Sequence, residues 1–260
     1  MRKPLIKQWL SHYGLFILLL ISMLLIWQWI VHLGLVPPYI LPSPSSIGRA
    51  LLEDSQLLLG KHLLATLKEV AVGFLLSITF GIALAAGMHA FRILEKALYP
   101  FVVISQTIPL IALSPIFIMW FGYTIWSKVA VVFLTSFFPI VVNTYDGLRK
   151  SDHEYNELLL TMGATRWGVF RKIQIPIALP AFFSGLKLSI VYCVVGATIG
   201  EWLGGSEGLG YYSRRMSSNL NADSMFASVF LLSLIGILLF AAIVLLEKKI
   251  LKKRGRKNDH

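Results

Sequence analysis

Residues 154–180 read EYNELLLTMGATRWGVFRKIQIPIALP, a polar stretch set between two long apolar runs. Leu158, Leu159 and Met162 recur at helical spacing up to Gly163, which predicts a short amphipathic helix ending in a glycine turn. Thr165 is placed to cap a second helix, in which Trp167, Phe170 and Ile173 recur at three-residue intervals among Arg166, Arg171 and Lys172. Pro176 and Pro180 are expected to end the excursion and return the chain to its apolar phase. Two short helices carrying aromatic and Arg anchors make a knob that suits a partner's groove.

The flanking runs place the chain in a bilayer. Hydrophobic residues make up 56% of the 260 and charged residues only 14%, against about a quarter charged in soluble domains. Crossing the hydrocarbon core takes roughly 20 apolar residues per helix, because a helix satisfies its own backbone hydrogen bonds there. Six runs qualify, at about Leu15 to Leu33, Leu64 to Met88, Leu98 to Phe121, Ser127 to Tyr145, Ala181 to Leu203 and Phe226 to Leu246. The expected fold is an all-α polytopic membrane protein, one domain over residues 1–260, with about six transmembrane helices. The knob, at about 150–180, falls between the fourth and fifth. The first run follows Arg2, Lys3 and Lys7 as a signal peptide would. It is longer than a signal h-region, and no small-x-small cleavage site follows before Pro37 and Pro38, so it is expected to stay as an anchor.

A net charge of +11 has two readings, a nucleic-acid surface or a membrane topology, and the placement of the basic residues chooses between them. With the N-terminus inside, 17 of the 24 Lys and Arg residues fall in cytoplasmic segments and 5 in external ones, namely Arg49, Lys61, Lys128, Arg214 and Arg215. Lys68 and Lys187 lie in spans. The positive-inside rule then puts both termini and the Glu157 knob in the cytoplasm. The basic tail, from about 247 to 260, reads as a stop-transfer and lipid-headgroup anchor, with no nucleic-acid partner. Cys193 is alone inside the fifth span, so no intramolecular disulfide is possible.

Along the chain, four prolines between Pro37 and Pro44 enforce an extended segment. A short helix capped by Ser45 or Ser46 is expected after them, with Ile47, Ala50, Leu51 and Leu58 as an apolar stripe on the outer membrane surface. In the second span Ala83 and Gly87 permit close helix approach, while Lys68 and Glu69 sit near its external end and can snorkel. The third span is the least regular. Pro109 and Pro115 each free a backbone carbonyl, and broken helices face protein or a water-filled cavity. Gln106, Pro109, Ser114 and Pro115, with Asn143 in the fourth span, are the candidates for a translocation pathway. A kinked packing helix, with Asn143 capping backbone carbonyls, is the competing reading. Gly196 and Gly200 in the fifth span favour helix pairing, with this chain or a second copy. Lys187 is expected to snorkel. The loop from Gly200 to Gly210 lacks a Walker pattern and reads as a flexible or re-entrant turn. His153 and Glu157, four apart, could share a metal only with a third ligand, and no nucleophile-base constellation points to catalysis.

The spacing from Glu157 through Gly163 to Ile173 and Pro176 resembles the EAA loop of ABC-importer permeases, Glu-Ala-Ala, three residues, Gly, nine residues, Ile-x-Leu-Pro. Leu158 and Leu159 stand in place of the alanines, and Ile175 in place of the leucine. The Leu-Pro-Ser-Pro segment at 41–44 and the run TIPLIALSPIFIMWFGYTIWSKVAVVFLTSFFPIVVNTYDGL resemble the permeases of sulfonate, taurine, nitrate and thiamine-precursor importers. The resemblance implies a permease subunit in a bacterial inner membrane that forms the pathway for a small polar or anionic solute and is not itself an enzyme. It implies as partners a cytosolic ATPase dimer, a second permease copy and an extracytoplasmic substrate-binding protein. No cofactor is expected on this chain, since the partner ATPase uses ATP and Mg. It assigns Glu157, Gly163, Ile173 and Pro176 to the ATPase-coupling motif, with Ala164 and Arg166 beside them. A secondary transporter driven by an ion gradient is the alternative. It leads one to expect buried carboxylates for ion coupling, whereas the spans offer only Glu69 and Glu201, both near external ends.

Overall fold

A computed structural model describes residues 5–150 and 153–255, and every regular element among them is helical. The chain runs α1 (Leu5–His32), α2 (Pro44–Glu53), α3 (Ser55–Leu57), a π-helical turn, α4 (Leu63–Ala90), α5 (Arg92–Ser105), α6 (Leu110–Phe121) and α7 (Ile125–Arg149). It continues through α8 (His153–Thr161), α9 (Arg166–Val169), a second π-helical turn (Phe170–Gln174), α10 (Ile175–Gly204), α11 (Leu209–Ser218) and α12 (Ala222–Gly255). Five of these segments are long and apolar enough to cross a bilayer, and α5 with α6 makes a sixth if that bent pair is one crossing. Each of the six expected runs falls on one of them. Arg2, Lys3 and the end of the basic tail lie outside the described residues, as does the side chain of His153.

Burial ranks the spans. The apolar window of α1 is 0% buried and that of α7 is 61% buried, so α7 is the centre and α1 packs least against the rest of the described chain. Small residues let two helices close on α7. On α10, a Cβ at Gly200 would lie 3.1 Å from the Lys128 Cα, one at Gly185 2.9 Å from the Pro139 carbonyl oxygen, and one at Gly196 would run into Thr135. The Gly196 and Gly200 pair therefore meets its own chain. On α4 the close approach is made at Gly73 and Gly81, where a Cβ at Gly81 would sit 2.8 Å from Ile140 Cγ2. Ala83 is exposed and a Cβ at Gly87 would meet only Leu94 at 3.7 Å. The expected pair is thus displaced, because Gly73, Ser77 and Gly81, four apart, form the face turned to α7. Ser77 Oγ lies 2.6 Å from Ser136 Oγ, and Ser189 Oγ donates to the Ser136 carbonyl at 2.7 Å, so the three helices share a polar seam. Gly196→Val should cost about 1–3 kcal/mol by overpacking, lowering the thermal midpoint in detergent, while Gly87→Val stays within about 0.5 kcal/mol. Equal midpoints for the two variants would contradict this packing.

Three further expectations are revised. Helix α2 is capped by Ser43, whose Oγ accepts from the Ser46 amide at 3.1 Å, because Pro44 takes the first helical position. Its Ile47 and Ala50 are buried in the main apolar core, α2 packs on α12, and Ser46 Oγ donates to Asp223. Pro176 and Pro180 do not end the knob. Residues 166–204 form one continuous helical segment, in which Pro176 follows a π-helical turn whose Ile175 amide bonds the Phe170 carbonyl, so the α-helical bonding pattern is already interrupted there, and Pro180 lies inside α10. Lys187 is paired, its Nζ lying 3.0 Å from Glu247 Oε2 on α12.

Candidate functional site

Two regions carry the residues singled out by the sequence. The first is the break between α5 and α6, whose axes differ by 104°. Pro109 has no amide hydrogen and biases Ile108 towards an extended conformation, so α5 cannot continue through it. The end of α5 instead closes in tight turns, with Gln106, Thr107 and Ile108 amides bonding the Val103, Ile104 and Ser105 carbonyls at 3.3, 2.9 and 3.3 Å. Pro109, at φ −65° and ψ 107°, then opens α6.

Beside the break lies a cavity of about 270 Å³ lined by Ser105, Gln106, Thr135, Phe138, Tyr192 and neighbouring aliphatic residues. Of the five candidates, Gln106 lines this cavity and Pro109 shapes it. Ser114 is buried within α6, one residue before Pro115. Asn143 lies against Gly185, and its Nδ2 donates to the Pro139 carbonyl at 2.8 Å, the bond of a residue supporting a proline-containing helix. Tyr192 was missed from the sequence. Its signal was available: tyrosines gather at membrane interfaces, and this one falls in the middle of a span.

The second region is the knob. Helix α8 ends in a Schellman motif, in which the Ala164 amide bonds the Leu159 carbonyl at 3.0 Å and the Gly163 amide the Leu160 carbonyl at 3.1 Å. Gly163 has φ +90°, a left-handed conformation that glycine adopts without strain. Thr165 caps α9 as expected, its Oγ1 accepting from the Gly168 amide at 3.1 Å. Leu158, Met162 and Trp167 are exposed, with Glu157, Ala164, Arg166, Arg171 and Lys172 also at the surface. Ile173 and Pro176 are half-buried at the root of α10. On its inner side the knob leans on α4. His89 Nε2 lies 2.8 Å from Gln174 Oε1, and the His89 ring stacks on Phe170 at 6.0 Å.

At the opposite end of the bundle, Glu69 and Glu201 are buried, at 2% and 0% exposure, rather than snorkelling. Lys128, expected in an external segment, is buried with them, its Nζ 3.5 Å from Glu69 Oε1. Glu201 accepts from Thr66 Oγ1 at 2.6 Å, from the Tyr211 amide at 3.3 Å and from the Gly210 amide. The glycine-rich loop is therefore wrapped around a carboxylate. Beside it Tyr212 donates to Asp54 at 2.6 Å, and burial together with this bond pushes its phenol up to about 12, so it remains a donor. Neither glutamate lines the cavity at the bend. Buried carboxylates are present after all, but they are tied to backbone amides and a lysine as structural ties.

Residues 77–252 match the family described as binding-protein-dependent transport system inner membrane component. The chain belongs to that family. Among its relatives, the formylaminopyrimidine transport permease protein of Halalkalibacterium halodurans is 50% identical over 219 residues, covering 84% of this chain and 88% of that one. The riboflavin transport system permease protein of Chloroflexus aurantiacus is 35% identical, covering 90% and 87%. An inward-facing structure of the MetNI methionine ABC transporter superposes with a TM-score of 0.65 at 20% identity, over 76% of this chain and 98% of that one, and shares the fold. The protein is thus a multi-pass permease subunit of an ATP-binding-cassette importer for a small solute. Such subunits are not enzymes; ATP hydrolysis belongs to a separate partner, and an ion-gradient mechanism has no support in the family.

Proposed function

We propose that this permease imports a formylaminopyrimidine, working as one of two identical copies with a pair of cytosolic ATPase subunits and an extracytoplasmic binding protein. The carrying observation is the 50% identity to a formylaminopyrimidine permease over most of both chains, against 31% to a putative aliphatic sulfonate permease of Bacillus subtilis. The basic residues support an orientation with both termini and the knob in the cytoplasm. There Leu158, Met162 and Trp167, rimmed by Arg166, Arg171 and Lys172, offer an apolar anchor with a cationic border to the ATPase. Pressure on the knob reaches two spans, α10 through continuous helix and α4 through His89. The bend at Gln106 and Pro109 borders the pathway, and Ser114, Pro115 and Asn143 hold α6 and α7 around it.

Uptake by vesicles containing the full assembly tests this function. ATP-dependent uptake of formylaminopyrimidine, with little of taurine or nitrate, is expected. Uptake driven by a proton gradient without ATP, or preference for the anions, would overturn it.

A further inference from the structure

The cavity at the α5–α6 bend carries four polar side chains, two of which are already committed. Ser105 Oγ donates to the Phe101 carbonyl at 2.6 Å, and Thr135 Oγ1 shares its proton between the Val131 and Val132 carbonyls at 3.0 and 2.8 Å. The other two, the Gln106 amide and the Tyr192 hydroxyl, have no hydrogen-bond partner among the described residues. Tyr192 is 42% exposed although it lies in the middle of α10. Polar groups at membrane depth are costly to leave unpaired, so these two require water or a solute.

The chemistry of the wall selects the solute. A larger groove of about 420 Å³ between α10 and α12 has Thr198 and Ser233 as its polar side chains. Both donate to carbonyls of their own helices, at 2.8 and 3.0 Å, so nothing there reads a polar molecule. The cavity at the bend differs. Tyr192 and Phe138 offer aromatic faces, against which a planar ring packs favourably. A phenol and a carboxamide each supply both a donor and an acceptor, matching the ring nitrogens and amide of a substituted heteroaromatic. No Lys or Arg lines the cavity, whereas a sulfonate or nitrate calls for cations or converging N–H donors.

We propose that Tyr192 and Gln106 form a transmembrane reading site for an uncharged heteroaromatic amide, with Tyr192 and Phe138 against the ring and Gln106 on its polar edge. This rests on the pyrimidine reading above and adds the residues that recognise the solute in passage, beyond any selection by the binding protein.

The test uses the full assembly in vesicles, with Ile199→Cys in the cavity wall as a reporter for a water-soluble maleimide. Formylaminopyrimidine uptake by the assembly without the introduced cysteine checks the substrate reading separately, and its absence overturns that reading. Given uptake, formylaminopyrimidine should protect the introduced thiol from alkylation and taurine should not. Tyr192→Leu and Gln106→Leu should each raise the concentration needed for protection about tenfold, the loss expected for one hydrogen bond or one stacked ring. Tyr192→Phe should retain the stacking share, which keeps the test decisive if Tyr192→Leu fails to assemble. Uptake without protection, protection unchanged in Gln106→Leu and Tyr192→Phe, or a reporter inert in every transport state overturns the site.

Discussion

Gly163→Pro is expected to uncouple the permease from its ATPase while leaving its spans inserted and folded. The left-handed φ of +90° at Gly163 is closed to proline, whose ring fixes φ near −65°. The substitution also removes the amide that bonds the Leu160 carbonyl, and it drives Met162 out of helical conformation. Both effects dismantle the Schellman turn that sets the angle between α8 and α9. Leu158 and Met162 then no longer share a surface with Trp167. Losing a docking anchor of this kind costs about 2 kcal/mol or more, roughly a 30-fold weaker association. Copurification of the ATPase and ATP-driven uptake should therefore both fall.

Two milder substitutions separate conformation from bulk. A Cβ at Gly163 would meet nothing within 4 Å, so side-chain volume is not the obstacle. Gly163→Ala should lose only the about 1–2 kcal/mol cost of a left-handed L-residue, and Gly163→Asn less, because asparagine visits that region more readily. Docking should follow the order Gly, Asn, Ala, Pro, with the thermal midpoint of the spans nearly constant. Wild-type ATPase association in Gly163→Pro would remove the knob from the coupling route.

The contrast between the two ends of the molecule explains what could be read from the chain in advance. The turn at Gly163 and the cap at Thr165 depend on hydrogen bonds between residues a few positions apart, and local spacing reveals such bonds. The five long spans, and the bent pair that counts as a sixth if it is one crossing, follow from hydrophobic length alone. A proline inside a helical pattern reads as a stop, whereas the π-helical turn ahead of Pro176 already shifts the backbone bonding, so the helix runs on through it. Glu69, Lys128 and Glu201 each look like a charge near a span end that can reach water. Only the packing of α4, α7 and α10 turns all three inward, and no local pattern encodes that. Tyr192 belongs to the same class, since its neighbours across the cavity come from the α5–α6 bend and from α7.

That inward-facing group carries the second large effect. Glu201→Ala should destabilise the permease by about 3–5 kcal/mol, the cost of removing one member of a buried charged network. The carboxylate joins α10 to Thr66 on α4 and to the amides of Gly210 and Tyr211 at the start of α11. Deleting it leaves the Gly210 and Tyr211 amides without an acceptor, each costing about 1–3 kcal/mol, while Thr66 Oγ1 keeps the His62 carbonyl at 3.2 Å. It also opens a void where Gly208, at φ +111°, packs directly against the carboxylate. Glu201→Gln keeps the shape and one acceptor oxygen, so it should lose less than half as much. Hydrogen exchange localises the effect: amides from Gly208 to Ser213 should lose protection in Glu201→Ala, while those of α8 and α9 keep theirs, since the knob is held from the other end of the bundle through His89 and Gln174. Equal thermal midpoints for the Ala and Gln variants would show that the shape and acceptor oxygen kept by glutamine contribute nothing, and the loop would then be held by Thr66, whose hydroxyl accepts from the Leu209 amide, and by His62, which accepts from that of Gly208.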